Sequence, residues 1–487
     1  MILVRCNDTS FQYDIHSLVK SFYPGCDVKV ISEDEEEEKS SCCDQPELFI
    51  CMHEDRIELS IYEGNKETDF RASYVNEGCD RSEYKNSLKL LIYDALCDYC
   101  HRSLPWGTLT GIRPTKIALS GLGESKSRDE ILAHYRDVYK TSEKKAKLAV
   151  DIAGREKAIL DRIHFKDGYS LYIGIPFCPS TCLYCSFTSF PRSLYEKKVA
   201  EYMKCLKAEI DYTAEAFKDR ILDSIYVGGG TPTTLTAEEL RELLGYIGSK
   251  IDLNTVQEFT VEAGRPDSIT EEKLIALKDS KVSRISVNPQ TFKQKTLDII
   301  GRRHTVDQVI DTYKLARKLN FDNINMDLIA GLPGEDLGDM RNTLDIVRQL
   351  APDSVTIHSL AIKRASRLKS YIDEHGIEML NNTDEIMDTV ENVLIQMGLN
   401  PYYLYRQKNM SGNFENVGYA RPGKEGIYNM LIMEEVQSIV ALGAGTVSKR
   451  VFPDGRIERC DNVKDVGLYI DQISDMIERK RKLFKNL

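Results

Sequence analysis

Residues 172–187 read Tyr-Ile-Gly-Ile-Pro-Phe-Cys-Pro-Ser-Thr-Cys-Leu-Tyr-Cys-Ser-Phe, placing Cys178, Cys182 and Cys185 in a CxxxCxxC spacing at the end of an apolar run. Three thiolates with no fourth cysteine nearby suit a [4Fe–4S] cluster whose fourth iron is left open. A cluster that only carries electrons closes all four iron positions with cysteine. An open iron can chelate a small molecule, so the spacing points to chemistry. Structural zinc, the blander use of such a cluster, needs a fourth ligand.

Downstream, strand-like runs at 170–175, 224–227, 258–262, 284–287, 323–328 and 354–357 alternate with helical patterns at 193–219, 236–250, 270–280, 292–301, 305–319 and 337–350. Six alternations predict an α/β architecture with a parallel sheet and crossover helices. Such sheets bind ligands at the carboxyl ends of their strands, which is where the cysteines fall.

Upstream, the first 30 residues alternate apolar and polar positions, and 47–52 and 56–62 read as strands joined by a polar turn. From 82 to 100 the spacing turns helical, with Leu88, Leu90, Leu91, Tyr93 and Leu96 as core candidates, and helical segments near 126–160 follow. Beyond 375 the pattern is mixed and rich in Tyr, ending in a helical stretch over 463–485. The expected organisation is therefore an α+β domain over 1–165, the α/β core over 166–375 and a smaller, mainly helical domain over 376–487. Three domains also suit 487 residues at roughly 150 residues each.

Composition narrows the class. A hydrophobic share of 42% and a charged share of 29% describe a globular chain. A net charge of -11 argues against a general nucleic-acid binder, which needs clustered Lys and Arg. No run reaches the ~18 apolar residues of a membrane span, and no charged-then-apolar leader pattern opens the chain. Thirteen cysteines, an odd number at irregular spacing, do not resemble a secreted disulfide framework. A reducing cytoplasm is the expected setting.

Gly228-Gly229-Gly230-Thr231-Pro232-Thr233 follows the second strand. Glycines admit a ligand close to the backbone, yet the run lacks both the GxGxxG spacing and the lysine of a P-loop. Next to three cysteines its backbone suits the ammonium group of a bound amino acid; by itself it is a tight strand–helix turn. Other stretches invite blander readings. Cys97-Asp-Tyr-Cys100-His101 matches the CxxCH haem-attachment pattern but sits in a helical stretch, and the acidic run Glu33–Glu38 reads as a solvated loop. Cys42-Cys43 beside that run reads as incidental. Tyr402-Tyr403-Leu-Tyr405-Arg406-Gln407-Lys408 and Asn416-Val-Gly-Tyr419 suit either the wall of a flat anionic ligand or domain packing.

In order along the chain come the cysteine strand, GGGTPT, Arg284-Ile-Ser-Val-Asn-Pro-Gln-Thr-Phe292, Gly301-Arg-Arg-His-Thr305 and Asn325-Met-Asp-Leu-Ile-Ala-Gly-Leu-Pro333. This series resembles the oxygen-independent coproporphyrinogen III oxidase family of radical S-adenosylmethionine (SAM) enzymes over about 170–370. Pro105-Trp106-Gly107 and Thr110-Gly-Ile-Arg-Pro-Thr-Lys116 resemble a motif of its HemZ-type, coproporphyrinogen dehydrogenase branch.

The resemblance implies a partial (β/α)6 barrel, with Cys178, Cys182 and Cys185 holding a [4Fe–4S] cluster and SAM on the open iron. It implies that Gly229, Gly230 and Thr231 contact the methionine portion and that Glu262 accepts a hydrogen bond from the ammonium. It places Arg302 on the carboxylate, where a guanidinium fork fits. Gln290 and Asp327 fall on the ribose hydroxyls, and Tyr172 near the sulfonium as the catalytic residue. The implied reaction is decarboxylation of two coproporphyrinogen III propionates to give protoporphyrinogen IX through a 5′-deoxyadenosyl radical. A flavodoxin- or ferredoxin-type protein would supply electrons. Two positions depart from the family pattern: Phe187 replaces a fourth cysteine and Gly174 replaces a histidine. Phenylalanine at the first is shared with the related haem chaperones. A haem-binding chaperone or a haem-modifying radical SAM protein is therefore the alternative.

Overall fold

The computed structural model describes residues 1–487 apart from 24–25, 36–44, 77, 112, 364–365, 408–409, 411–413 and 486–487. The second half of the acidic run, Cys42-Cys43, Ile112 and Lys408 thus lie outside the described residues. The chain divides into two compact units, Met1–Gly154 with Tyr405–Glu415, and Arg155–Leu404 with Asn416–Leu487.

The first unit is built on a five-stranded sheet of β1 (Ile2–Cys6), β2 (Val28–Ser32), β3 (Glu47–Met52), β4 (Arg56–Glu63) and β5 (Lys66–Tyr74). Its order is β2-β1-β3-β4-β5, with β1 parallel to both neighbours and β3, β4 and β5 antiparallel. The strand period of two puts Ile57, Leu59 and Ile61 into the core. Helices Gln12–Phe22 and Arg81–Cys100 cover that face with Ile15, Leu18, Leu88, Ile92 and Leu96. Leu90 of the expected core is only half-buried. The longer helix starts at a capping box of Asp80 and Glu83 and stops at His101, in the left-handed region at φ 51°. Cys97 and Cys100 lie in its last turns, and the Cys100 thiol is 3.4 Å from the Tyr23 hydroxyl.

The second unit holds an eleven-stranded sheet. Its strands include β6 (Tyr169–Ile175), β9 (Leu222–Gly229), β10 (Glu258–Gly264), β11 (Arg284–Val287), β12 (Ile324–Ala330) and β13 (Ser354–Ser359), six parallel strands in sequential order. Between β6 and β9, the two-residue strands β7 (Phe177–Cys178) and β8 (Phe190–Pro191) pair with each other. Helices Val199–Ala216, Ala237–Lys250, Glu271–Asp279, Val306–Lys318 and Leu337–Leu350 occupy the crossovers. This is the parallel sheet that the alternation predicted and the partial (β/α)6 barrel that the family resemblance implied.

The segment after 375 supplies helices Asp384–Gln396, Ile427–Glu434, Val466–Asp471 and Ile473–Leu483, and also strands β14 (Asn400–Tyr405), β15 (Asn416–Ala420), β16 (Ser438–Leu442), β17 (Val447–Val451) and β18 (Ile457–Asp461). These strands extend the same sheet at both ends: β15 runs antiparallel to β13, and β16 parallel to β6.

A parallel sheet covered on both faces ordinarily reads as continuous apolar sequence. Here the strands alternate. Leu171, Ile173, Ile225, Val227, Phe259, Val261, Ile285, Met326, Leu328, Val355 and Ile357 are buried. The intervening positions are Ser170, Tyr172, Ser224, Tyr226, Glu258, Thr260, Glu262, Arg284, Ser286, Asn325, Asp327, Ser354, Thr356 and His358. They register across neighbouring strands, Tyr172 with Tyr226, Tyr226 with Thr260 and Thr260 with Arg284. One face of the sheet is thus polar. Buried polar groups cost free energy unless partnered, so this face has to satisfy itself or be satisfied by a ligand.

Candidate active site at the carboxyl ends of the strands

The glycine run is fixed against the cysteine loop by backbone hydrogen bonds. Gly230 N–H donates to Ile175 O and Thr231 N–H to Phe177 O, both at 2.7 Å. A Cβ at Gly230 would stand 2.5 Å from Phe177 O and 3.0 Å from Cys178 Sγ, and Gly229 has φ +104°, so neither position tolerates a side chain. Thr231 Oγ1 lies 3.5 Å from Cys178 Sγ.

Arg265, which the sequence reading missed, anchors the other side of the loop. It is 3% exposed. Its guanidinium donates to Ser180 O (3.0 Å) and Ser180 Oγ (2.8 Å), lies 3.9 Å from Cys182 Sγ, and pairs with Asp267 at 2.7 Å. The sequence signal was available in Gly264-Arg265-Pro266-Asp267, a turn directly after β10. Leu183 N–H donates to Ile300 O at 3.0 Å and Ser180 Oγ to Gly301 O at 3.2 Å, tying the loop to the Gly301–Thr305 motif. Burial pushes the Cys178 thiol up to about 11, and its neighbours Cys185 and Cys182 add to the shift, so the three sulfurs already sense one another. Among the described residues no three His, Cys, Asp or Glu side chains close around a single metal ion.

Facing this loop are side chains whose polar atoms lack partners. Arg302 is 6% exposed; it donates to Asn288 O, while its Nε has no hydrogen-bond partner. Tyr184 and Cys182 hold the Arg302 cation against the cost of its burial. Gln290 is 7% exposed and sits at φ 68°. That left-handed conformation is uncommon for glutamine and marks strain characteristic of binding sites. Its backbone is locked by Gln290 N–H to Asp327 O and Ile329 N–H to Gln290 O, both at 2.9 Å, yet its side-chain Oε1 is unpartnered. Asn288 Oδ1 and Ser286 Oγ are unpartnered as well.

Two half-buried carboxylates complete the set. Burial, and then Asp327, push Glu262 up to about 7, opposed by the hydrogen bond from the Tyr226 hydroxyl. Burial also acts to raise Asp327, but His358, the Asn325 amide at 2.7 Å and Arg284 outweigh it and keep the acid below its usual range. Tyr172 lies in a stack of three rings. Its centroid is 6.0 Å from Tyr226 and 5.8 Å from Tyr428, and those two are 4.6 Å apart. Tyr428 comes from helix Ile427–Glu434, whose first amides are capped by Glu258 (2.8 and 3.3 Å). No local spacing in the sequence signals that partnership.

The two departures from the expected motif have local correlates. A Cβ at Gly174 would stand 2.6 Å from Thr446 Cγ2, so the turn after β16 takes the space of any side chain there. Phe187 is 76% exposed. The Tyr402–Tyr403 stretch is packing: both rings are buried, and a Cβ on Gly418 would stand 1.9 Å from Tyr403 Cε1.

The radical SAM superfamily profile matches residues 172–347. That places the core in a class of proteins built on this barrel and cysteine triplet. The oxygen-independent coproporphyrinogen-III oxidase-like protein HemZ of Bacillus subtilis (strain 168) is 39% identical over 83% of this chain and 82% of its own length. The heme chaperone HemW of Lactococcus lactis subsp. lactis (strain IL1403) is 32% identical over 57% of this chain and 68% of its own. Escherichia coli coproporphyrinogen III oxidase, HemN, superposes with a TM-score of 0.51 at 21% identity, over 66% of this chain and 73% of that one. The chain belongs to the HemZ-like, oxygen-independent coproporphyrinogen III oxidase family of radical SAM proteins. The family works with a [4Fe–4S] cluster and SAM, and the site fits both: a trio of thiols, a glycine cradle without room for a Cβ, and unpartnered polar atoms for a zwitterion and a diol. Among the described residues no helix is long and apolar enough to cross a membrane.

Proposed function

We propose that this protein is a radical SAM oxidoreductase that decarboxylates the propionates of coproporphyrinogen III to vinyl groups, giving protoporphyrinogen IX. The observation that supports it most is the set of unpartnered buried polar atoms in the segment that follows β11: Asn288 Oδ1 and Gln290 Oε1 just after the strand, and Arg302 Nε after helix Gln294–Ile299. Cys178, Cys182 and Cys185 would hold the cluster. When bound, cluster and SAM supply a carbon-centred radical that removes hydrogen from a substrate side chain. The chain's own work is positioning. Arg302 offers its free Nε–H to a carboxylate, a charge-assisted contact. Glu262, with Tyr226 holding one oxygen, accepts from an ammonium through the other. Gln290 Oε1 and Asp327 accept from two hydroxyls, and Gly229, Gly230 and Thr231 let the ligand lie on bare backbone. Tyr172, clamped in its ring stack, presents a flat wall beside that ligand.

A second reading, a haem-binding chaperone on the same scaffold, is favoured by Phe187 in place of a fourth cysteine and by the likeness to HemW. One anaerobic assay separates the two. Reconstituted protein with SAM, a reductant and coproporphyrinogen III should yield 5′-deoxyadenosine together with vinyl-bearing product. Tight haem binding without porphyrinogen turnover would overturn the first reading in favour of the second. Electrons would come from a flavodoxin- or ferredoxin-type donor, and a cytoplasmic setting suits an oxygen-sensitive cluster.

A further inference from the structure

The three thiols of the cysteine loop have different polar neighbours. Thr231 Oγ1 lies 3.5 Å from Cys178 Sγ. The Phe187 amide and the Ser189 hydroxyl favour the thiolate of Cys185. Cys182 instead meets the Arg265 guanidinium, 3.9 Å from its sulfur, and the same cation also favours the Cys178 thiolate. Arg302 acts beside Cys182 too, but its free Nε–H is the donor offered to a ligand carboxylate. Arg265 has no part in ligand binding, so its charge needs another purpose.

The guanidinium is aimed. Its Nε and Nη2 donate to the two oxygens of Asp267, at 3.0 and 2.7 Å, a bidentate pair that fixes the plane of the group. Nη1 is left facing the loop, where it donates to Ser180 O and Ser180 Oγ and reaches Cys182. Burial acts to raise Asp267, but His304 and Arg265 outweigh it and hold the acid below its usual range, so it is ionised. His304, fully buried 3.8 Å from Asp267 Oδ1, is pushed down by burial and adds no charge at neutral pH. The ion pair therefore points a dipole at the loop, with its positive end towards Cys182 and its negative end behind.

We propose that this buried pair sets the reduction potential of the cluster: Arg265 favours the reduced state, and Asp267 is the positioning residue that aims it. The inference rests on the reading of Cys178, Cys182 and Cys185 as cluster ligands and extends it from binding to electron uptake. An added electron makes the cluster more negative, so a cation against one of its sulfurs favours the reduced form. A carboxylate behind that cation opposes it from farther away. Charge, burial and hydrogen bonds to the sulfurs are the means by which a protein sets such potentials. They act strongly where water is scarce, and Arg265 is 3% exposed.

The test is the midpoint potential of the reconstituted full chain, read from its electron paramagnetic resonance signal during a reductive titration without SAM or porphyrinogen. A midpoint does not depend on the fraction of chains loaded, so incomplete iron uptake does not obscure it. Arg265→Gln should make the cluster harder to reduce and Asp267→Asn easier. Each should shift the oxidised-to-reduced ratio at fixed potential about tenfold, or about 59 mV for a one-electron couple. Opposite signs are the mark of electrostatics, because a loop merely loosened by loss of the pair would move both variants the same way. Arg265→Lys, which keeps the charge and loses the fork, should fall between Arg265→Gln and the unaltered protein. If Arg265→Gln holds no cluster, the signs of the Asp267→Asn and Arg265→Lys shifts still decide. Shifts of one sign, or a loaded cluster whose potential ignores the substitutions, would overturn this inference alone. An unaltered chain that takes up no cluster would overturn it together with the reading it rests on.

Discussion

Glu258 and Glu262 lie on one strand and one face of the sheet, yet they belong to opposite ends of the barrel and do opposite things. Glu258, at the amino end, spends both oxygens on the backbone amides of Ile427 and Tyr428. Glu262, at the carboxyl end, takes one hydroxyl from Tyr226 and stays half-buried and poised near neutrality. A cavity of about 370 Å³ lies at the amino end, lined by Arg162, Gln257, Glu258, Ser283, Asn323 and Ile427. The carboxyl end has the unpartnered Asn288 Oδ1, Gln290 Oε1 and Arg302 Nε and the strained Gln290 backbone, while Asn323 Oδ1 beside the amino-end cavity is unpartnered as well. What separates the two ends is the backbone strain at Gln290, a mark of binding sites, since both ends hold unspent hydrogen-bonding capacity.

The widest separation between the two ends should come from Cys182→Ala. It should remove the iron–sulfur absorption and reduce SAM cleavage to background, whereas substitutions around the amino-end cavity leave iron content unchanged. Retained iron–sulfur absorption in that variant would break the comparison outright. Next is Arg265→Ala, which strips a buried ion pair from beneath the cysteine loop. A loss of about 3 kcal/mol in chemical denaturation is expected, with incomplete iron loading. Smaller again is Glu262→Gln, for which SAM affinity measured by equilibrium dialysis should fall about tenfold or more, since a hydrogen bond to a charged group is worth about 1.5–3 kcal/mol. Glu262 also sets a pH signature. Its folded pKa of about 7 exceeds the usual value near 4.3, so the fold holds its proton longer than the unfolded chain. Stability then declines as pH climbs from about 4.3 to 7, while affinity for a cation rises over the approach to 7 as the carboxylate forms. Both trends should vanish in Glu262→Gln. The smallest effect belongs to Glu258→Gln, which should cost about 1 kcal/mol of stability, the scale of a lost helix cap, and leave SAM affinity intact.

The six core strands were legible because each carries its own signal, an alternating run bounded by a turn, and the first delivers its cysteines straight to the site. The glycine cradle was legible for the same reason. What escaped is long-range. Tyr428 reaches Tyr172 only because Glu258, 170 residues earlier in the chain, caps its helix. Arg265 matters through Ser180, 85 residues away. Strands β15 and β16 were hidden because their core partners, such as Tyr169 for Ser438, are distant, whereas β17 and β18 form a local hairpin that the sequence reading missed. Gly174 looked like a departure in a motif; only the fold shows that Thr446 stands where its side chain would go.

That pairing of β6 with β16 also bears on synthesis. The strand that carries the chain into the cysteine loop has β9 on one side and Ser438–Leu442 on the other. A nascent chain therefore displays its cysteine strand as a bare sheet edge until Ser438–Leu442 has been translated. Non-local pairings of this kind are the slow ones to form. A chain that stalls before Ser438 thus keeps three thiols beside a strand with one edge unpaired.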